Sequence, residues 1–549
     1  MYVVQQNGIL GTYYNWTNNG TFTANAGTVL FNGATQTLGG TSLPTFNNIT
    51  VSSGSTTTIS TTGEKIAGIL LSNGTLNANG NLTLISTSSQ TALIDGTGTG
   101  SVLGSVTMQR YLTSSLGYKL FSSPFQYTTV NTFSGTINLS AAFPPVYKYD
   151  ESLPSNGWYF YTATNDTLFP LKGYAVNFGD STTPSTISMS GIVNNGTINS
   201  PTLYNTNQTY TQGFNLIGNP YPSPIDWNSS SGWSKTNIDN AIYYFNASTD
   251  KYSGSYSSYI GGVSSDGIAS NIIPAMQGFF IHVTNGSYPV SATLSINNNA
   301  RLNTYMNPVF HKNAGFPDPL CRINIRFVNE NELSDNLVIY FNDRASPGFD
   351  KEYDALKFEN TNPNVPNLFA LSPDGQSLSI NALPSLSDSV TIIPIGIKIA
   401  NKSWLVLHLQ DIQNMPAGTH VYFIDNKYGT FQDLTNNATY RMNVDAGTNT
   451  NRYSIVFSKT DISNTTLLQR QLNAYFSNGK IYVNLDLITG DNGTLGVFNM
   501  LGQQIVQSKL DGFGYHEIYA PYSNGIYMVN FYANGNVYSR KISINNTTN

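Results

Sequence analysis

Three carboxylates stand at alternate positions in the run GFDKEYDAL: Asp350, Glu352 and Asp354. Acids at i, i+2 and i+4 can chelate calcium from a loop, which makes these the candidate metal ligands and calcium the one candidate cofactor. The loop is not an EF-hand. The position such a loop needs as glycine is Ala355, and its twelfth, bidentate position is Thr361. Solvated loop charges are the plainer reading of the three. Asp226, Asp239, Asp250 and Asp266 could supply the two carboxylates of a glycosidase, but nothing in their spacing selects a pair, and acids of this kind ordinarily build turns.

The remaining reactive side chains are sparse. His282, His311, His408, His420 and His516 lack metal-ligand spacing, and four of them fall in strand-like runs where a hydrogen-bonded structural imidazole is expected. Cys321 opens a strand beside Arg322 with no base in sequence reach, so a buried structural thiol is expected. No G-x-S-x-G, H-E-x-x-H, P-loop or C-x-x-C motif occurs. No catalytic residue is assigned, and the chain is read as non-enzymatic. Its aromatic residues are the better binding candidates. Tyr252, Tyr256 and Tyr259 lie among Ser and Gly, and rings carrying a polar handle suit sugar faces and protein surfaces. Packing against a neighbouring sheet is the alternative for tyrosines at strand spacing.

The elements that must hold these residues are β-strands. The chain has 549 residues, enough for three to four domains, yet only 10% of them are charged. Asn, Thr, Ser, Gly and Tyr must therefore cover the surface. A formal charge of −5 provides no basic field for nucleic acid or anionic lipid. With 48 Gly, 24 Pro, abundant β-branched residues and no sustained 3.6-residue period, the chain is all-β. A single cysteine excludes an intrachain disulfide, so an extracellular chain of this kind reads as bacterial. No run of 18 apolar residues offers a spanning helix. The opening MYVVQQNGILGTYY lacks the features of a signal peptide, and we expect this chain to begin downstream of its native start.

Four segments follow from composition. Residues 1–110 carry only Glu64, Lys65, Asp95 and Arg110 as charges, with short β-runs at roughly ten-residue spacing. Such runs, joined by polar turns, suit a β-solenoid, with an antiparallel sandwich as the alternative. Residues 111–306 hold a duplication: GYKLFSSPF begins at Gly117 and GFNLIGNPY at Gly213, 96 residues later. Each is followed by an aromatic strand (VYKYD, IYYFN) and a closing element (PLKGYAV, PAMQGFFI), giving copies 111–206 and 207–306. Residues 307–462 contain longer alternating strands, in which Ile323, Ile325 and Phe327 share one face, and read as a β-sandwich. Residues 463–549 read as a small Ig-like sandwich with a hairpin turn at Asn534-Gly535.

Several of these runs carry a resemblance. SDNLVIYFNDRASPGFDKEYDALKF with LFALSPDGQSLSINALP looks like the sandwich that precedes the C-terminal signal in large secreted proteins of the Bacteroidota. NLIGNPYPSPIDW and AMQGFFIHV are similar to modules upstream of it. Residues 469–549 resemble the type A C-terminal sorting domain of type IX secretion cargo, through GKIYVNL, VFNMLGQQIV, NGIYMVNF and YSRKISI in order. The Asn-Pro that usually precedes the first of these strands is missing.

By this resemblance the sorting-signal residues are Gly479, Gly502, Gln503, Gly525, Tyr527, Arg540 and Lys541. It implies the type IX translocon and its outer-membrane shuttle protein as partners. It also implies delivery to the cell surface or medium, with the signal removed on anchoring or release. The expectation is a secreted or surface protein, an adhesin or structural protein with a glycan or another surface as ligand. The alternative is the accessory part of a larger hydrolase whose catalytic domain lies upstream.

Overall fold

The computed structural model describes residues 3–6, 8–247, 251–304, 320–387, 390–427, 430–460, 472–477, 480–485, 492–510, 515–519, 523–533 and 536–544. They are built from strands and short 3-10 turns. No described helix is long and apolar enough to cross a membrane. The chain divides into two compact units, Met1–Phe316 and Pro317–Asn549.

The first unit begins with a parallel β-solenoid of about five turns. Each full turn contributes one strand to each of three sheets. Thr28–Phe31, Asn48–Val51 and Ile69–Ser72 stack on one side, and Thr35–Gly39, Thr56–Ile59 and Thr75–Asn77 on the second. Thr45–Phe46, Glu64–Ile66 and Leu82–Leu84 form the third. The register puts Val29, Ile49, Leu70 and Ile94 in one column and Phe46, Ile66, Leu84 and Met108 in another. These short strands stay in place because each but Thr45–Phe46, which ends its sheet, is paired on both sides, and because they turn apolar residues inward. Polar side chains stitch the turns together: Gln36 accepts from Gly33 N (2.6 Å) and donates to Tyr14 O (2.6 Å) in the preceding turn.

One interior position breaks the apolar pattern. Glu64 is fully buried beside Leu82 and Val106 along its sheet, and neither carboxylate oxygen has a hydrogen-bond partner among the described residues. Burial pushes its carboxyl up to about 7.

The solenoid passes into the duplicated region without a break. Ser105–Leu112 is both the last solenoid strand of its sheet and the partner of Ser185–Val193, so the sequence boundary at residue 110 falls inside one strand. The same end of the solenoid is also packed by the tail of the second copy. Arg301 donates to Ile94 O and to Ser223 Oγ (2.8 Å), and Asn303 Oδ1 accepts from Gly96 N (2.7 Å).

The two copies have the same strand order. In the first, Tyr118–Ser122, Gly173–Asn177, Val146–Tyr149 and Trp158–Phe160 lie side by side in that order. In the second, the order is Phe214–Gly218, Gly278–Val283, Ile238–Ala247 and Gly254–Ile260. Small pairs recur too, Thr128–Thr129 with Thr167–Leu168 and Ile225–Asp226 with Ile272–Ile273. Leu171 and Met276, each two residues before the glycine that starts a strand, share a left-handed backbone (φ 59° and 66°).

In the second unit, ten strands follow one path that starts at Thr430–Asp433 and ends at Thr439–Val444, and an eleventh, Ala355–Leu356, pairs from the side. Those end strands are neighbours in sequence, and Gln432 Nε2 donates to Thr439 O (2.6 Å), drawing the two ends together. Phe341 and Phe457, four strands apart along the path, meet edge-to-face at 5.0 Å, so the sheet folds over into two layers. Ile323, Ile325 and Phe327 are buried on one face of their strand. Two buried ion pairs cross this body: Arg452 grips both oxygens of Asp425 (2.8 and 2.6 Å), and Lys357 pairs with Asp335. The C-terminal part is a sandwich of one three-stranded and one four-stranded sheet around Leu495, Val497, Val529, Phe531 and Ile544.

Candidate functional site

The residues with the clearest chemical potential in the sequence turn out to be structural. Asp354 is fully buried, and its carboxylate accepts from Ala382 N (2.5 Å) and Asp350 N (2.7 Å). Burial, with the charges of Asp350 and Asp374 nearby, raises it to about 7 although those two N–H bonds oppose the shift. Asp350 in turn accepts from Ser346 N (2.5 Å), while Glu352 is exposed. The three carboxylates do not form a ligand cluster, and no group of three His, Cys, Asp or Glu suited to a metal occurs among the described residues. Backbone N–H groups of Ser346, Asp350 and Ala382 turn toward Asp350 and Asp354.

Among the described residues, Asp226, Asp239 and Asp266 of the second copy are committed locally. Asp226 accepts from Asn228 N (2.8 Å) and Asn271 Nδ2 (2.7 Å), and Asp266 accepts from Ile268 N (2.9 Å) and Ala269 N (3.0 Å). Asp239 meets His282 Nδ1 at 2.5 Å and accepts from Thr284 Oγ1 at 2.8 Å. Both members of that pair are buried, and among the described residues no hydroxyl or thiol is hydrogen-bonded to the His282 ring. His420 pairs with Asp433 (3.1 Å) at the rim of the rolled sheet. Cys321 is half-buried with its sulfur 3.1 Å from that of Met415, and burial raises its thiol. Asp250 and His311 lie outside the described residues.

The tyrosine candidates separate. Gly254–Ile260 is a strand rather than a Ser/Gly loop, paired along its length with Ile242–Ala247. Tyr259 is 5% exposed, belongs to the core of the second copy and receives Asn228 Nδ2 at 2.7 Å. Tyr256 is half-buried, packing against Phe245 (5.3 Å) and Phe280 (5.9 Å). Only Tyr252, in the turn before the strand, is open at 49%. The alternative of packing against a neighbouring sheet holds for Tyr259, and the Ser and Gly residues between the tyrosines sit in the strand itself.

Tyr252 is part of a larger aromatic surface that the spacing did not reveal. Its ring lies 4.8 Å from Phe143, Phe143 lies 6.4 Å from Tyr147, and Tyr147 touches Tyr118 (5.7 Å) and Phe160 (6.1 Å). Phe143, Phe160 and Tyr252 are exposed, and the Lys251–Asp180 ion pair (3.1 Å) sits beside them. Pairing of Tyr147 with Phe160 and Tyr149 with Trp158 puts these four rings on one face of the first copy's sheet. Deeper in, Tyr149 and Trp158 pack on Phe280 of the second copy (5.0 and 5.9 Å). An aromatic layer between the copies thus surfaces around Tyr252. A run of aromatic residues in VYKYD and GWYFY was the signal, but only the sheet decided which rings emerge.

In the sorting segment, Gly502 takes a left-handed φ of 80° at a tight hairpin. Asn499, absent from the expected set, organises that turn. Its Oδ1 accepts from Leu501 N and Gln503 N (both 3.0 Å), and its Nδ2 donates to the Gln503 side chain (2.8 Å). Tyr527 is buried with its hydroxyl donating to Ser523 O (3.0 Å). Gly525 opens the strand Gly525–Ala533, and Arg540 and Lys541 are exposed on its neighbour. Gly479 and the Asn534-Gly535 turn lie outside the described residues.

Residues 10–457 match a family described as a domain of unknown function (DUF8693). The chain belongs to that family. The DUF8693 region takes in the solenoid, both copies and nearly all of the rolled sheet. Residues 477–545 match the secretion system C-terminal sorting domain, which makes the chain cargo of type IX secretion, exported to the surface or the medium. No curated protein matches the chain. A solved structure titled "Biofilm associated protein - BSP domain" aligns at 11% identity over 81% of this chain and 92% of its own, with a TM-score of 0.15.

Proposed function

We propose that the exported protein is a non-enzymatic surface or secreted adhesin whose duplicated module attaches to glycan. The observation that carries this reading is the exposed aromatic surface of Phe143, Phe160 and Tyr252, continuous with Tyr118 and Tyr147. Tyrosine and phenylalanine rings bury apolar sugar faces at low entropy cost, and the hydroxyls offer partners for sugar hydroxyls. The commitment of Asp226, Asp239, Asp266 and Asp354 to local hydrogen bonds supports a binding role over catalysis. The partners in export are the type IX translocon and its shuttle protein, engaged through the C-terminal sandwich. The source is a member of the Bacteroidota.

Attachment of the purified chain to glycan-coated beads tests the reading. The double variant Phe143→Ala/Tyr252→Ala keeps the parent melting temperature and loses at least three-quarters of the attachment. Unchanged attachment rejects the aromatic surface, and turnover of a polysaccharide by the purified chain rejects the non-enzymatic reading.

A further inference from the structure

A cleft of about 410 Å3 opens where the two copies meet, with Tyr149, Asp150, Lys172, Ser200, Tyr204 and Asn215 in its wall and none of Phe143, Phe160 and Tyr252. Its size falls among small-molecule pockets, which run from about 300 to 1,000 Å3.

The acids of the wall are already occupied. Glu151 is buried, and its carboxylate accepts from Thr206 N (3.0 Å), Thr206 Oγ1 (2.9 Å) and Gly213 N (3.1 Å). Asp150 holds Ser152 through its N (3.0 Å) and Oγ (2.7 Å). Lys172 is different. It is half-buried, and its ammonium makes no hydrogen bond or ion pair among the described residues. Burial and the charge of Lys148 hold its pKa below the ordinary lysine value, against the pull of Asp150.

Further polar atoms in the wall are uncommitted. Asn215 gives its Nδ2 to Tyr204 O (2.8 Å) and Gly213 O (2.9 Å), which leaves its Oδ1 without a donor among the described residues. The Ser200 hydroxyl also has no partner there, but its oxygen is buried behind the wall. Tyr204 is 42% exposed and supplies a ring.

We propose that this cleft binds a carboxylate-bearing sugar, a hexuronate unit of an acidic polysaccharide, with Lys172 as the partner of its carboxylate. A partly desolvated ammonium that no carboxylate pairs with directly, Asp150 acting on it only at longer range, favours an anion. Asn215 Oδ1 suits a sugar hydroxyl, and the Tyr204 ring suits the apolar face of a pyranose. The inference rests on the reading of the duplicated module as glycan-binding, but it places a second, charge-selective site apart from the Tyr252 surface.

Calorimetry on the full chain, with a hexuronate oligosaccharide, a neutral oligosaccharide of equal length and inorganic phosphate, tests it. The hexuronate binds at least tenfold more tightly than either other probe. Lys172→Met removes that tenfold preference without lowering the melting temperature, and Lys172→Arg retains it. Tyr252→Ala leaves it unchanged, so bead attachment that persists in Phe143→Ala/Tyr252→Ala, with intact hexuronate binding, counts against the aromatic-surface adhesin reading and not against the cleft. Equal binding of neutral and acidic sugars, no effect of Lys172→Met, or phosphate binding as tight as the hexuronate overturns the proposal.

Discussion

Gly218 of the second copy lies against Ser122 of the first so closely that a Cβ built on Gly218 overlaps the Ser122 Cβ. Ser122 Oγ also donates to Asn219 O (2.8 Å), and its N donates to Met276 O (3.0 Å). The contact is part of a reciprocal pattern. A Cβ on Gly173 would stand 2.5 Å from Ile217 O, and one on Gly278 would stand 2.9 Å from Phe121 O. Phe121 and Ile217 occupy the same position in their copies, four residues after Gly117 and Gly213. The duplication is therefore an internal pseudo-dimer whose glycines let each backbone approach the other.

Gly218→Ala follows directly from this geometry. With the neighbouring backbone fixed by strand pairing, the added methyl forces a shift costing about 1–3 kcal/mol. Chemical unfolding measures the loss, and Ser122→Gly in the same chain should restore part of it by removing the opposing Cβ. A neutral Gly218→Ala variant would show that the copies do not meet this closely.

Glu64 makes the solenoid sensitive to pH. Its carboxyl is raised from 4.5 to about 7 in the folded chain, so the unfolded chain gives up this proton first. The contribution is fully present below pH 4.5 and is lost as pH rises toward 7, a change of about 3 kcal/mol. Glu64→Gln cannot ionise and should flatten the difference in unfolding free energy between pH 4.5 and pH 8. An equal pH dependence in parent and variant would contradict the buried, unpartnered placement.

Tyr252 and Tyr259 should answer oppositely to truncation. Tyr259 is a core residue, and Tyr259→Ala should cost about 3–5 kcal/mol. Tyr252 is exposed, and Tyr252→Ala should change stability by less than about 0.5 kcal/mol. Paired melting curves on the two single variants decide between this and a shared loop.

The sorting hairpin depends on Asn499. Asn499→Ala removes three side-chain hydrogen bonds at a turn whose tip residue, Leu501, is 86% exposed. The loss should reach about 1–2 kcal/mol, because each such bond contributes about 0.5–1.5 kcal/mol and the freed backbone groups regain water. A periplasmic reporter carrying residues 463–549 should cross the outer membrane in a competent host, and the Asn499→Ala fusion should be exported less. Leu501→Ser should leave the melting temperature of the fusion unchanged.

Local pattern determined much of this protein. Alternation in TVLF, NITV and TTTI placed Val29, Phe31, Ile49, Val51 and Ile59 inside the solenoid, because a strand turns successive side chains to opposite faces. The order of four short runs near the C-terminus identified the sorting domain, since each is a strand or turn whose chemistry is local. What tertiary structure alone decided is which polar and aromatic groups remain available. Asp354 is occupied by N–H groups of Ala382 and Asp350, Tyr259 is covered by its own core, and Arg452 is joined to Asp425 from 27 residues away. The sequence names such groups but not their partners. Pairing between distant strands sets those partners, and with them whether a carboxylate, an ammonium or a ring faces water or the interior.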